Sequence, residues 1–318
     1  MGGMQQYRFG FTSLVAFCLL FFATGCAAYP TGLASAEEMG MSPDSLQELR
    51  YEWMHADTNP DPHAVVVVTH GFNIDPEAMT DIEQALRSAG MDVLSLDLSG
   101  HESQLDEDGR LVQFREANFP IWRQDIDQAV YMAGQRAEEL DVPLYLVGFS
   151  LGGLLSVDYL NRHPDAAVER MVLLAPALAL RWTSYLLMPL TALPNFFLPS
   201  VAPADYRANN YAPVSAYESL YEGLRAFLDE VEPAHINRPA QVWLTDSDEL
   251  VSPDGVRDFI NEQGLDQWGV RGISKSSGAA MVLNHLIIDA NALGEESWEY
   301  MRQELLSFLL ADTENSRN

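Results

Sequence analysis

The stretch from residue 143 to residue 153, PLYLVGFSLGG, limits what this chain can fold into more than any other part of it. An unbroken apolar run bounded by glycine reads as a strand covered on both faces. Leu154-Leu155-Ser156-Val157 then continues as a helix, so Ser150 must occupy an abrupt strand-to-helix turn. Gly148 and Gly152 flank that serine for a steric reason: a side chain at either would collide with the backbone folded around the turn. The arrangement projects the Ser150 hydroxyl from a tight turn, as a serine nucleophile requires. The bland alternative, a glycine-rich turn with an incidental serine, gives no reason for the strand before it and the helix after it.

Further short apolar runs share the character of this strand: Ala64 to Thr69 (AVVVVT), Met91 to Leu98, Met171 to Leu174 and Ala240 to Leu244. Helical patterns lie between them. In Ile121 to Leu140, the residues Trp122, Ile126, Ala129, Ala133, Ala137 and Leu140 recur at three- and four-residue spacings and form one apolar stripe. A helix after Ser150 must stop before Pro164, Ser252-Pro253 starts another as N-cap and first-turn proline, and Glu296 to Leu310 forms the last. Alternating strands and helices predict an α/β domain, a mostly parallel, doubly wound sheet over about residues 45–312. One stretch breaks the alternation. Leu178 to Leu198 is apolar and aromatic but interrupted by Pro189 and Pro194, and Pro199 follows it, which excludes a membrane helix there. With the residues after it, about 177–235, it reads as a cap inserted over the carboxyl edge of the sheet, where open α/β sheets bind ligands.

Charge excludes one class of function. With 18 Lys and Arg against 46 Asp and Glu, the formal charge of -28 gives no electrostatic footprint for nucleic acid. The acids are scattered through the chain and read as a solvated surface. The two cysteines, Cys18 and Cys26, both lie at the N-terminus, so the body has no disulfide framework and no thiolate metal site. Residues 1–25 carry a single charge, Arg8, and an apolar run from Phe11 to Phe22 suited to a secretory signal. They end in Ala23-Thr24-Gly25 and are followed by Cys26, a sequence that resembles the lipobox of bacterial lipoproteins. That resemblance implies cleavage before Cys26 and lipidation of its thiol. Residues 26–44 would form a tether, and the protein would be held in the cell envelope at the outer membrane, with the lipid as its membrane contact.

On the junction at Ser150 and the alternating pattern, the chain resembles the α/β-hydrolase superfamily. Thr69-His70-Gly71-Phe72 and Asp97-Leu98-Ser99-Gly100-His101 narrow the likeness to lysophospholipases, monoacylglycerol lipases and serine-aminopeptidase-like members, with Glu102 standing where those relatives commonly carry glycine. The resemblance implies a Ser, Asp or Glu, His triad in that chain order. Only His285 of the seven histidines lies far enough along to be its base. Asp248, in the turn Asp248-Glu249-Leu250-Val251-Ser252-Pro253, takes the acid position, with Asp246 and Glu249 as competitors. The oxyanion formed at a carbonyl needs two N–H donors, expected from the backbone of Leu151 and, by resemblance, of Phe72. His70 is expected to hold its loop rather than move protons, and neither His101 nor His235 has a spacing that suggests metal ligation. The chemistry requires no cofactor and no metal. The implied activity is cleavage of a carboxylic ester of a monoacylglycerol or lysophospholipid through an acyl-enzyme. An aminopeptidase or acyltransferase using the same triad is the neighbouring reading, and a lipid-binding lipoprotein without turnover is the reading from another class.

Overall fold

The computed structural model describes residues 46, 48–57, 61–186 and 196–311. Contacts divide the chain into residues 1–34 and 35–318, and every described residue lies in the second unit. The elements run in order β1 (Tyr51–Met54), β2 (Ala64–Thr69), a 3-10 turn (Pro76–Met79), α1 (Thr80–Ser88), β3 (Met91–Leu96), α2 (Glu107–Glu116), α3 (Phe119–Leu140), β4 (Leu144–Phe149), α4 (Leu151–Arg162) and β5 (Val168–Leu174). They continue as β6 (Phe197–Pro199), β7 (Tyr211–Pro213), α5 (Val214–Glu230), α6 (Pro233–Ile236), β8 (Ala240–Leu244), α7 (Pro253–Glu262), β9 (Trp268–Gly272), α8 (Ala290–Leu293) and α9 (Glu295–Leu310).

Seven strands form one sheet in the order β1-β3-β2-β4-β5-β8-β9, and only the β1–β3 pair is antiparallel. Successive side chains of a strand point to opposite faces, so each central strand serves two cores. Val65 and Val67 join Leu144, Leu146, Met171 and Leu173 under α3, α4 and α7. Val66 and Val68 join Tyr145, Val147, Val172 and Trp243 under α1 and α9. Every residue of β2, β3, β4 and β8 is buried, which is why these strands read as short, mostly apolar runs, broken only by Asp92 and Ser95 in β3, Gln241 in β8 and the terminal Thr69 of β2.

Local chemistry adjusts several predicted boundaries. The helix expected from Ile121 begins at Phe119, because the Asn118 side chain accepts the Ile121 N–H at 3.1 Å and Pro120 occupies the first turn. The strand expected to reach Leu98 ends at Leu96. The Asp97 carboxylate there accepts the Ser103 N–H and hydroxyl, each at 2.8 Å, and turns the chain away. Ser252 caps α7 as its sequence predicts, accepting the Gly255 N–H at 3.1 Å.

The expected cap resolves into different parts. β6 and β7 form an antiparallel pair outside the main sheet, whereas Tyr217, Leu220, Leu224 and Phe227 of α5 belong to the core that covers α3. Residues 187–195 of the cap lie outside the described residues, as do residues 1–44, read above as a signal and tether with Cys26 between them. Among the described residues no helix is long and apolar enough to cross a membrane.

Candidate active site

Strand register levels the carboxyl ends that build the site. Thr69 pairs with Gly148, Phe149 with Leu174, and Leu174 with Trp243, so the loops after β2, β4, β5 and β8 leave one edge side by side. Ser150 follows β4 at φ 51, ψ −111, a left-handed conformation rare outside glycine. Its neighbours hold it there: the Ser150 N–H donates to the Leu174 carbonyl at 2.9 Å, and its own carbonyl accepts from Leu154 at 3.1 Å and Ala177 at 2.9 Å. The flanking glycines are dictated by contact. A Cβ at Gly148 would lie 2.5 Å from the Gly152 carbonyl oxygen, and one at Gly152 would lie 2.2 Å from that of Thr69.

His285 reaches Ser150 from the loop between β9 and α8. Its Nε2 lies 2.9 Å from the Ser150 Oγ, and its Nδ1 lies 2.7 Å from the Asp248 Oδ2. An ionised carboxylate only accepts, so Nδ1 carries the proton and Nε2 accepts from the serine hydroxyl. The other oxygen of Asp248 accepts the Leu250 N–H at 2.7 Å and the Val251 N–H at 2.8 Å, which fixes the carboxylate plane. All three side chains are buried, and the Phe149 ring packs 5.0 Å from the imidazole. The competitors for the acid separate cleanly. Asp246 is exposed and pairs with Arg257 at 2.8 Å, and Glu249 turns to the backbone of His285 instead of its ring.

Leu151 follows the serine directly, and Phe72 follows Gly71, where a Cβ would lie 3.1 Å from that of Ser150. Among the hydrogen bonds of the described residues, neither backbone N–H has an acceptor, while the adjacent Gly152 N–H donates to the His70 carbonyl at 3.1 Å. Two buried imidazoles hold the Phe72 loop. His70 donates from Nδ1 to the Gly71 carbonyl at 2.8 Å and accepts the Leu98 N–H at Nε2 at 3.0 Å. His101 accepts the Asn73 N–H at Nε2 at 2.8 Å. Burial pushes His70 down to about 4 and His101 well below the ordinary histidine range, so both stay neutral and keep these tautomers. His235 lies away from the site, with its Nδ1 2.9 Å from the Asn161 carbonyl.

Several contributors carried no motif to find them by. Asn73, itself at φ 51, exchanges hydrogen bonds with Asn209 and donates to the Ser200 hydroxyl, and so joins the Phe72 loop to the cap. Arg181, at the start of the cap, donates from Nε to the carbonyl of Asp248 and from Nη2 to that of Asp246 at 3.2 Å. Glu102 has a structural use. It accepts the Gly100 N–H at 2.9 Å and pairs with Arg50 at 3.0 Å, and Arg50 also reaches Asp125. Among the described residues no group of three or more His, Cys, Asp or Glu is placed to hold a metal ion.

The arrangement can deprotonate a hydroxyl, hold the resulting imidazolium against a carboxylate and offer two N–H groups to an oxyanion. Comparison with known proteins supports a hydrolase. The family model described as serine aminopeptidase, S33 matches residues 60–218, half of the chain. A thermostable monoacylglycerol lipase from Bacillus sp. (strain H-257) is 25% identical over 209 residues, which is 61% of this chain and 74% of the lipase. The phospholipase YtpA of Bacillus subtilis (strain 168) is 25% identical over 120 residues, 38% of this chain and 43% of its own length. The fold is that of the α/β-hydrolases: a structure from the metagenome-derived lipolytic enzymes LipS and LipT superposes with a TM-score of 0.64 at 21% identity, covering 81% of this chain and 96% of the other.

Proposed function

This chain belongs to the serine aminopeptidase, S33 family of α/β-hydrolases, and on that premise we propose that it cleaves carboxylic esters through an acyl-enzyme on Ser150. The observation that carries the proposal is the continuous path from Ser150 Oγ to His285 Nε2 at 2.9 Å and from His285 Nδ1 to Asp248 at 2.7 Å. Attack of Oγ on the ester carbonyl passes the hydroxyl proton to Nε2, and the oxyanion meets the N–H groups of Phe72 and Leu151. The imidazolium then returns the proton to the departing alcohol. A water, activated by the same nitrogen, releases the acid and restores the serine.

The proposed substrate is a monoacylglycerol or lysophospholipid. Two observations support it: the names of the two Bacillus relatives, and the apolar character of the cap beside the acid turn. Leu180 pairs with Val251 across that turn, and the side chains just beyond it are exposed, Trp182 to 60% and Leu186 to 56%. A large exposed apolar group beside a catalytic turn suits an acyl chain better than a peptide.

Turnover of p-nitrophenyl esters of rising chain length, monoacylglycerol, lysophospholipid and an aminoacyl amide tests the proposal. Long-chain esters should lead the series, and Ser150→Ala should lower kcat by roughly 10⁴- to 10⁶-fold while the protein remains folded. Preferred turnover of the amide, or activity retained by the variant, would overturn it.

A further inference from the structure

The described residues from 274 to 289, which carry His285, contain neither helix nor strand. Side chains therefore do much of the work of placing this loop. Lys275, the single lysine of the chain, donates to the Val282 carbonyl at 2.8 Å, and a turn from Leu283 closes with the Leu286 N–H on the Leu283 carbonyl at 3.1 Å. Glu249 ties the backbone of His285 itself. Its Oε2 accepts the His285 N–H at 3.2 Å, and its Oε1 accepts the Asn284 side-chain amide at 2.9 Å.

Two carboxylates adjacent in sequence thus hold one histidine in two ways. Asp248 grips the ring and fixes its rotation, while Glu249 grips the backbone from which the ring hangs. We infer that Glu249 is a positioning residue for the reaction, setting how far His285 stands from Ser150, and this inference rests on the reading of Ser150 as a nucleophile. Leu286, Ile287 and Ile288 anchor the chain after His285 in the core, but Asp248 and that packing leave the His285 backbone N–H itself without a tie. Glu249 supplies it. Glu249 is partly exposed, so replacing it strands no buried charge, while His285 is 3% exposed and its N–H would lose its acceptor. Glutamine retains an oxygen for one of the two donors. Alanine retains none.

The test compares the full-length protein with its Glu249→Gln and Glu249→Ala variants in three measurements. These are the rate at which a fluorophosphonate labels Ser150, kcat and KM on a p-nitrophenyl ester, and the low-field proton resonance of the hydrogen bond between His285 and Asp248. A reacting group displaced by an ångström costs on the order of a hundredfold in rate. Glu249→Ala should slow labelling and lower kcat by about that factor, with KM changed by no more than about twofold, and its low-field proton should exchange faster. Glu249→Gln should recover about half of that loss on a logarithmic scale, because it restores one of the two bonds. Labelling of Glu249→Ala at the wild-type rate, or an unchanged low-field resonance, overturns the inference. If the wild-type protein is itself not labelled, the serine-hydrolase reading falls instead, and the resonance still decides whether Glu249 places the histidine.

Discussion

Ser150 occupies backbone space that costs a non-glycine residue of order 1–3 kcal/mol, and three backbone hydrogen bonds from neighbouring segments keep it there. The acid is decided by direction as much as by residue type. Asp248 and Asp246 share one turn two residues apart, but only Asp248 points inward, where the Leu250 and Val251 N–H groups hold one oxygen and His285 takes the other. Asp248→Asn should lower kcat by about 10⁴-fold, because an amide in that place favours the wrong tautomer of His285. Asp246→Asn, at an exposed pair with Arg257, should leave kcat within about twofold. Steady-state kinetics of the two variants on one ester checks both expectations, and equal losses would mean that the turn acts as a unit. Glu102 teaches a related lesson. Its carboxylate, where the resemblance implies glycine, is paired by Arg50, so the residue bears on how a loop is held and makes no contact with Ser150, Asp248 or His285.

At the scale of elements, the loop carrying Phe72 is gripped from two directions. His70 and His101 tie it to the loop after β3, and Asn73 ties it to the cap through Asn209. α1 and β3 bring together another buried pair whose effect depends on pH. Burial pushes Glu83 and Asp97 up to about 7, with Glu83 accepting the Ser95 hydroxyl at 2.6 Å. In the unfolded chain these carboxyls titrate near 4. Between about pH 4 and 7 the folded protein therefore keeps protons that the unfolded chain has released, and the stability this contributes is lost as pH rises through 7. His70 acts in the opposite sense. With its folded value near 4 against about 6.5 unfolded, it removes stability as pH falls through that window. Glu83→Gln should consequently raise the denaturant midpoint more at pH 8 than at pH 5. An equal gain at both values would remove the buried carboxyl as the cause.

For the whole molecule the acidic balance matters most. A formal charge of -28 leaves few cations, and many of the arginines are spent internally: Arg123 and Arg162 both pair with the buried Asp158, and Arg136 pairs with Asp92. Such a body is repelled by an anionic lipid surface. Attachment to a membrane would then depend on the lipid proposed at Cys26 and not on basic side chains. Cys26→Ala should move the protein from the membrane fraction to the soluble one, at low salt as well as high, when the two fractions are assayed after cell lysis. Retention of the variant at low salt alone would point to charge, and retention at every salt concentration would remove the anchor.

Period and spacing along the chain are enough to place β2, β3, β4, β8, α3, α4, α7 and α9, because a strand covered on both faces is mostly apolar, a helix on a sheet carries one apolar stripe, and caps and prolines mark helix ends. They also mark Ser150, since the glycines of its turn serve a local steric need. The edge strands β1 (YEWM) and β9 (WGVRG) escape that reading. Each has a single neighbour in the sheet and keeps half-exposed or polar positions, so no apolar run marks it. Chain order points to Asp248 and His285, yet it leaves Asp246 and Glu249 open as the acid. Tertiary structure alone separates them, because the direction of a side chain in a turn is set by what packs around it. The same holds for Arg181 on the acid turn, Asn209 beside Asn73, and Glu249 under His285. Each joins segments tens of residues or more apart in sequence, and no local propensity encodes a contact that exists only once the sheet has brought its loops to one edge.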